Sequence, residues 1–382
     1  MIRLEPGFRR GTMSVPVSKS HAHRVLIAEF LAGRGASLAP DPDDCEDICA
    51  TKRCLGALAA AQAAARTAGA PAATLDCGES GTTRRLLGPL VAALGVKPDW
   101  VMRGRLAARP QVDYVTLLPG VQELAGDVSS QFVSGLLFAL PILDGDSEIR
   151  LTSPLASRGY VDMTLDVLRT YGVAVAETAT GFRVAGRQRY CAPTGRPAFE
   201  TDWSGAAFPL AMAALGNEVR LADGCRAGLS AASRQPDRVV VGLLEAFAQA
   251  GDLTVDIDAS PDLFPVLTVV AARRPAATRF TGIRRLRLKE SDRVAAMANV
   301  LARFGVRADV LDAAFVVQGH PSPLRGGAFR SFSDHRIAMS IAVGATVADA
   351  PVAIDDAACA AKSYPGFFAQ FEALCRLSPD MV

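Results

Sequence analysis

The chain has 382 residues, of which 50% are apolar and 21% charged, and its formal net charge is +2. That is long enough for two domains with full cores and too apolar for a disordered chain. Near-neutrality argues against a general polyanion binder, so any affinity for anions must come from local clustering.

Taken in order, the chain enters a strand-like pattern at once. A polar turn at Ser18 leads into SKSHAHRVLIAEFLAG, a helix apolar on most faces, and a more amphipathic helix follows from near Glu46. The alanine-rich run from Ala57 to Ala73 reads as the outer part of that helix and its loop. The alternation then repeats. Buried helices are predicted from Ser80, Ser129, Ser204, Ser260 and Ser333, and amphipathic ones from near Arg109, Ser157, Pro236, Lys289 and Lys362. Each buried helix opens with a serine placed as an N-cap, and Gly172, Gly251 and Gly305 are placed as C-terminal stops. Short β-type runs lie between, among them SEIRLTS, DLTVDID, AFVVQG and APVAIDD; Leu286-Arg287-Leu288 also alternates like a strand. Six such units, with a period of about 50 to 75 residues, predict an α/β protein of two domains with three units each.

The cations gather at the helix starts. Lys19, Arg24, Arg85, Arg105, Arg109, Lys289, Arg293, Arg336 and Lys362 all lie at or near these turns. Helix N-termini carry unpaired N–H groups and a partial positive charge, so converging starts would make a pocket for a small ligand with several phosphates or carboxylates. The stretch Lys289 to Arg293, KESDR, adds two carboxylates to two cations where a strand is expected to hand over to a helix. Any one such turn, by itself, is better read as a solvated first turn.

The eight cysteines form no CxxC pair, and Cys45 and Cys49 have no matching second pair, so reduced thiols in the cytoplasm are expected, with no metal site. No basic-apolar leader and no apolar run of about 18 residues is present, so no membrane span is expected.

Ten stretches, in the same order along the chain, resemble the 5-enolpyruvylshikimate-3-phosphate synthase family of enolpyruvyl transferases. They are SKSHAHR, CGESGTTRR, RLAARP, SSQ, SRGYVD, ETDWSGAAF, SPDLFP, RLRLKESDR, SDHR and AKSYPGFF. The resemblance implies a two-domain inside-out α/β barrel, each domain a pseudo-threefold of βαβαββ units, with the active site in the interdomain cleft. The first domain would span 17–199 and the second 1–16 plus 200–382, with crossovers near Pro16 and Glu200.

The implied reaction joins phosphoenolpyruvate to the 5-hydroxyl of shikimate 3-phosphate and then eliminates phosphate, with no metal or cofactor. Lys19 would touch both substrates, and Asp262 and Glu290 would move the protons. Shikimate 3-phosphate would be held by Lys19, Ser20, Arg24, Ser129, Ser130, Gln131, Ser157, Tyr160, Asp262 and Lys289. Phosphoenolpyruvate would be held by Lys19, Gly81, Arg109, Gln131, Arg293, Arg336 and Lys362, with Arg85, Arg105 and His335 behind them. His21 and His23 are read as helix-face residues without a chemical role. A monomer is expected, with neither nucleic acid nor membrane as partner.

The sequence departs from the family pattern at Glu79, Leu86 and Arg285, and the region from Gly251 to Asp262 is short, implying a trimmed unit. Two rivals share the architecture. A UDP-N-acetylglucosamine enolpyruvyl transferase would carry a cysteine before its ARP-like turn, where this chain has WVMRGRLAARP. An RNA 3′-phosphate cyclase would show an aromatic-basic face, against two Trp and five Tyr here. A non-catalytic anion-binding paralogue would be expected to lose Lys19, Asp262 or Glu290, all of which are present.

Overall fold

The computed structural model describes the whole chain except Pro40, Gly69, Ala70, Arg196, Ala231 and residues 378–382. It divides into a terminal unit, Met1–Ser18 with Glu200–Val382, and a middle unit, Lys19–Phe199. Part of the alanine-rich run falls on Gly69 and Ala70, outside the described residues.

The chain opens in the terminal unit with β1 (Ile2–Leu4) and β2 (Arg9–Met13). The middle unit then runs α1 (Lys19–Leu31), α2 (Glu46–Ala68), β3 (Ala72–Gly78), α3 (Gly81–Ala93), β4 (Lys97–Met102), β5 (Gly120–Leu124) and α4 (Ser130–Ala139). It closes with β6 (Ser147–Leu151), α5 (Arg158–Thr170), β7 (Ala176–Thr178) and β8 (Gly181–Val184). Its described residues form a parallel β3-β4 pair and a sheet ordered β5-β6-β8-β7. α3 packs against α1 and α4, and the whole run from Thr83 to Ala92 in α3 is buried.

Back in the terminal unit come α6 (Trp203–Ala214), β9 (Glu218–Leu221), α7 (Asp223–Gly228), α8 (Val240–Phe247), β10 (Leu253–Asp256), α9 (Phe264–Ala272) and β11 (Ala277–Thr281). Then follow α10 (Arg293–Arg303), β12 (Arg307–Val310), β13 (Ala314–Gln318), β14 (Gly327–Phe329), α11 (His335–Ala345), β15 (Val352–Ile354), α12 (Phe367–Ala373) and β16 (Cys375–Arg376). Three sheets result among the described residues, ordered β1-β15-β14, β10-β11-β13-β12 and β16-β2-β9. Inside them α6, α9 and α11 pack on one another, which is the threefold core. Every residue of α9 and α11 is buried, as helices apolar on all faces require. Phe264 anchors this core, meeting Phe280 at 5.5 Å and Phe315 at 5.2 Å between ring centroids, both edge-on.

The two covalent connections between units run side by side. Val17 bridges Thr201, Ser18 N donates to Glu200 O at 2.7 Å, and Asp202 N donates to Pro16 O at 3.0 Å.

Several local expectations need correction. Ser80 and Ser129 do cap α3 and α4, but Asp202 and Asp334, not Ser204 and Ser333, cap α6 and α11. A carboxylate accepts from the first-turn N–H groups with full charge, so it takes the cap from the neighbouring serine. No helix begins at Arg109, because Pro110 holds the residue before it in extended backbone, φ −83° and ψ 154°. Leu286-Arg287-Leu288 lies in a 3-10 turn, Arg284–Leu288, not a strand, and α10 begins at Arg293 with Asp292 as its cap, not at Lys289. Lys362 ends a 3-10 turn, Ala358–Lys362, instead of starting a helix. Gly172 and Gly305 do follow the caps of α5 and α10 with φ +76° and +80°. Gly251 stands three residues past the Ala248 cap of α8, so it turns the loop and does not stop the helix.

Candidate functional site

In the middle unit, predicted residues gather around the first turns of α1, α3, α4 and α5. Lys19, the first residue of α1, pairs with Asp47 at 2.8 Å, and both side chains are mostly buried, 13% and 6% exposed. Gly81 opens α3 behind its cap Ser80. A Cβ there would come within 3.0 Å of Arg109 Nη1 and 3.2 Å of Arg85 Nη1, so glycine leaves room for two guanidinium groups over the helix start.

Gln131 ties α4 to this corner. Its Nε2 donates to Thr82 Oγ1 at 2.8 Å, and its Oε1 accepts from Arg85 Nη1 at 2.8 Å. Arg85 also donates to Pro110 O from Nε and Nη2, which fixes the extended segment after Arg109. The result is a helix start lined by Gly81, Arg85, Arg109 and Gln131, suited to an anion. Arg105 sits exposed on the adjoining 3-10 turn, Gly104–Ala108.

Ser129 caps α4 by accepting from Gln131 N at 3.3 Å, and Ser130 beside it is buried. Ser157, buried, starts α5 from the left-handed region, φ 50° and ψ 51°, and accepts from Tyr160 N at 3.1 Å through its carbonyl. A non-glycine residue held there stores backbone strain of about 1 kcal/mol or more. Arg24 is 1% exposed and donates to Thr164 Oγ1 at 2.8 Å, Ser20 O at 2.6 Å and Tyr160 O at 3.0 Å. It therefore braces α1 against α5, and burial lowers its pKa to about 10.

In the terminal unit, Asp262, Lys289, Glu290, Arg293, Asp334 and Arg336 form a connected network. Arg293, 1% exposed, donates from Nη1 to Asp262 Oδ1 at 2.8 Å, from Nη2 to Glu290 Oε2 at 3.1 Å, and from Nε to Asp334 Oδ2 at 2.9 Å. Asp262 also receives Lys289 Nζ at 3.2 Å and Arg336 Nη2 at 3.1 Å. Asp334 caps α11 through Arg336 N and accepts from Ser291 Oγ at 2.9 Å. The planar fork of arginine makes this possible, since it can serve three carboxylates in fixed directions.

Burial pushes the Asp262 carboxyl up, but Arg336, Lys289 and Arg293 outweigh it and hold it well below the usual carboxylate range. Burial also disfavours charge on Arg293, yet Asp334, Glu290 and Asp262 raise its pKa. His335, 1% exposed, opens α11 next to Arg336, with its Nδ1 3.9 Å from Asp334 Oδ1. Lys362 is buried at the end of a turn that packs on α11. Arg285 is turned to Asp258, with Nε 3.1 Å from Oδ1. The short region after β10 holds only Ile257–Ser260 before the 3-10 turn that carries Asp262.

Sequence reasoning passed over three acids that the fold makes prominent: Asp47, Asp334 and Asp237. Asp237 is 1% exposed. The signal for Asp334 was present in SDHR, an acid directly before a helix start. Asp47 and Asp237 carried none, because an acid in a helix's first turn is ordinary on a surface. His23 is also more than a helix-face residue: it is buried and bonds Thr51 Oγ1 through Nδ1 at 2.7 Å. No group of three or more potential metal ligands occurs among the described residues. No helix among them is long and apolar enough to cross a membrane.

The sequence matches the profile of EPSP synthase (3-phosphoshikimate 1-carboxyvinyltransferase) over residues 7–118 and 108–371. It is 33% identical to the 3-phosphoshikimate 1-carboxyvinyltransferase of Clostridium perfringens over 421 aligned positions, covering 97% of each chain. It is also 33% identical to the protein of that name from Methanocorpusculum labreanum, again over 97% of each. Among solved structures, the EPSP synthase of Acinetobacter baumannii superposes with a TM-score of 0.68 at 21% identity, covering 97% of both chains. The enolpyruvyl transferase NikO from Streptomyces tendae does so with 0.65 at 15% identity, covering 98% of this chain and 97% of that one. At those identities the likeness speaks for the fold, and it agrees with the inside-out α/β class.

Proposed function

The chain belongs to the EPSP synthase family, and from that premise we propose that it transfers the enolpyruvyl group of phosphoenolpyruvate to the 5-hydroxyl of shikimate 3-phosphate. The products are 5-enolpyruvylshikimate 3-phosphate and inorganic phosphate, on the route to chorismate. The observation that carries the reading is Asp262, a carboxylate kept ionised by Arg293, Lys289 and Arg336 in a protein that retains every acid and cation the chemistry needs.

The reaction requires a proton at the methylene carbon of phosphoenolpyruvate, attack by the 5-hydroxyl oxygen at the adjacent carbon, and later loss of phosphate with that proton. In this reading Glu290 delivers and then removes the carbon-bound proton, and Asp262 takes the proton of the hydroxyl. Lys19 neutralises the departing phosphate. Gly81, Arg109, Gln131, Arg293, Arg336 and Lys362 hold phosphoenolpyruvate. Ser20, Arg24, Ser129, Ser130, Gln131, Ser157, Tyr160 and Lys289 hold shikimate 3-phosphate, with Arg24 acting from a position where most of its donors already brace the fold. Arg85, Arg105 and His335 lie behind these. The reading also takes the middle and terminal units as the two substrate-binding domains, and the chain as a cytoplasmic monomer, which sedimentation of the purified protein tests for oligomeric state.

The decisive assay is phosphate release from phosphoenolpyruvate with and without shikimate 3-phosphate, and with UDP-N-acetylglucosamine as a control. Release that depends on shikimate 3-phosphate is expected. Release only with the UDP-sugar assigns the wrong acceptor, and none with either, from folded protein that binds both ligands, indicates an anion-binding paralogue.

A further inference from the structure

Asp237 is the second residue of a 3-10 turn, Pro236–Val239, that leads into α8. It is 1% exposed. Its Oδ2 is hydrogen-bonded by the hydroxyl of Ser204 in the first turn of α6. Its Oδ1 is buried with no hydrogen-bond partner among the described residues. The preceding residue but one, Gln235, locks this turn to the start of α6: Trp203 N donates to Gln235 Oε1 at 3.0 Å, and Gln235 Nε2 donates to Thr201 O at 2.9 Å. The carboxyl is therefore held rigidly, and one of its oxygens is unsatisfied, which is unfavourable in a buried site.

Its surroundings are the starts of the other inner helices. Asp262 precedes α9, and Arg336 is in the first turn of α11. Both are close enough for their charges to act on Asp237, as is Asp202 at the cap of α6. Arg336 is itself 2% exposed, holds Asp262 Oδ2 from Nη2 at 3.1 Å, and keeps Nε buried without a partner among the described residues. An unsatisfied acid oxygen and an unsatisfied guanidinium nitrogen thus share one buried neighbourhood. Near Asp237 in sequence, Arg234 and Arg238 are exposed. Such a carboxyl is not needed to cap α6, since Asp202 already does so through Gly205 N at 2.9 Å.

We propose that Asp237 is a positioning residue for the reaction, whose charge, seated by Ser204, sets how strongly Arg336 grips Asp262 and so how good a base Asp262 is. The inference rests on the functional reading above. Asp262 faces three cations and is a poor proton acceptor. An ionised Asp237 draws on Arg336 and repels a proton-free Asp262, which raises the proton affinity of the base. A neutral Asp237 leaves the pull of Arg336 on Asp262 undiminished. Burial, then Asp262, pushes the Asp237 carboxyl up to about 7, against the opposing pull of Arg336 and Ser204, so this switch falls within the working pH range.

The test compares the full-length protein with Asp237→Asn, which keeps the shape, and Ser204→Ala, which removes the hydrogen bond that favours the anion. Wild type is expected to lose kcat for phosphate release on the acid side with a midpoint near pH 7. Asp237→Asn should lack that limb and run roughly tenfold slower at pH 8, with KM nearly unchanged. Ser204→Ala should move the midpoint upward. A pH profile unchanged in Asp237→Asn, or a loss confined to KM, overturns the proposal.

A second readout does not depend on activity. A folded-state pKa above the unfolded one contributes stability that is full below about pH 4 and lost as pH rises through the folded value. Urea midpoints of wild type should therefore fall relative to Asp237→Asn between pH 5 and 8, and parallel curves overturn the proposal. If wild type releases no phosphate with shikimate 3-phosphate while the urea curves diverge, it is the functional reading that fails, and the buried titration stands.

Discussion

Arg293 and Asp262 form a pair of which one member is sealed and the other open. The Nη1–Oδ1 distance is 2.8 Å, yet 1% of the arginine side chain is exposed against 18% of the aspartate. The guanidinium works from inside the terminal unit, where Asp334 and Glu290 fix its other nitrogens. The partly exposed carboxylate is thereby oriented by a cation buried inside the unit.

Arg293→Met should destabilise the protein by about 3–5 kcal/mol, because Asp334, 0% exposed, loses its cationic partner. Arg293→Lys should recover little of this, since an ammonium cannot fork toward three carboxylates. Urea denaturation measures both. A midpoint unchanged in Arg293→Met would show that water reaches the network.

Asp262→Ala should still bind shikimate 3-phosphate, within about threefold by calorimetry, while turnover falls by roughly 10²–10⁴. A matching loss of binding would assign Asp262 a structural part, holding Arg336 and Lys289 in place.

Gly81→Ala should fold normally, since alanine is at ease in a helix's first turn. Its methyl group must displace Arg109 Nη1, 3.0 Å from the ideal Cβ, and Arg85 Nη1, 3.2 Å away. These are flexible ends that can retreat, so the change should appear as a raised KM for phosphoenolpyruvate with little change in KM for shikimate 3-phosphate. Equal effects on both would separate Gly81 from the phosphoenolpyruvate side.

His23 lies at the end of a buried hydroxyl chain. It bonds Thr51 Oγ1 at 2.7 Å, Thr51 meets Thr83 Oγ1 at 2.7 Å, and Thr83 meets the cap Ser80 at 2.8 Å. Burial lowers the imidazole pKa to about 3, far below the free value of 6.5. A base depressed in this way stabilises the fold fully above pH 6.5 and loses that contribution as pH falls toward 3. His23→Asn should flatten the loss of urea midpoint between pH 6.5 and 5, and an unchanged slope would place the acid lability elsewhere.

Much of this was readable from local pattern. The inner helices announced themselves as runs apolar on every face, and helices of that kind have nowhere to go but a core. Ser80 and Ser129 were readable as caps because a cap depends on a few adjacent residues. The start at Arg109 was misread although Pro110 stood beside it, and the start at Lys289 was misread although Asp292 was the better cap. In both cases turn chemistry at the next residues outweighed helical spacing.

By itself the sequence determined which chemical groups were available and in what order, since ten short polar stretches in sequence are a property of neighbouring residues. Only the tertiary structure decided who pairs with whom. Lys19 meets Asp47 across 28 positions, Ser204 meets Asp237 across 33, and Arg293 meets Asp334 across 41. Such partners belong to separate elements, and their meeting depends on how helices seat against one another, which no local periodicity encodes. Burial then gives those pairs their consequences: it holds Arg24 as a brace, neutralises His23, and leaves Asp237 with an oxygen to spare.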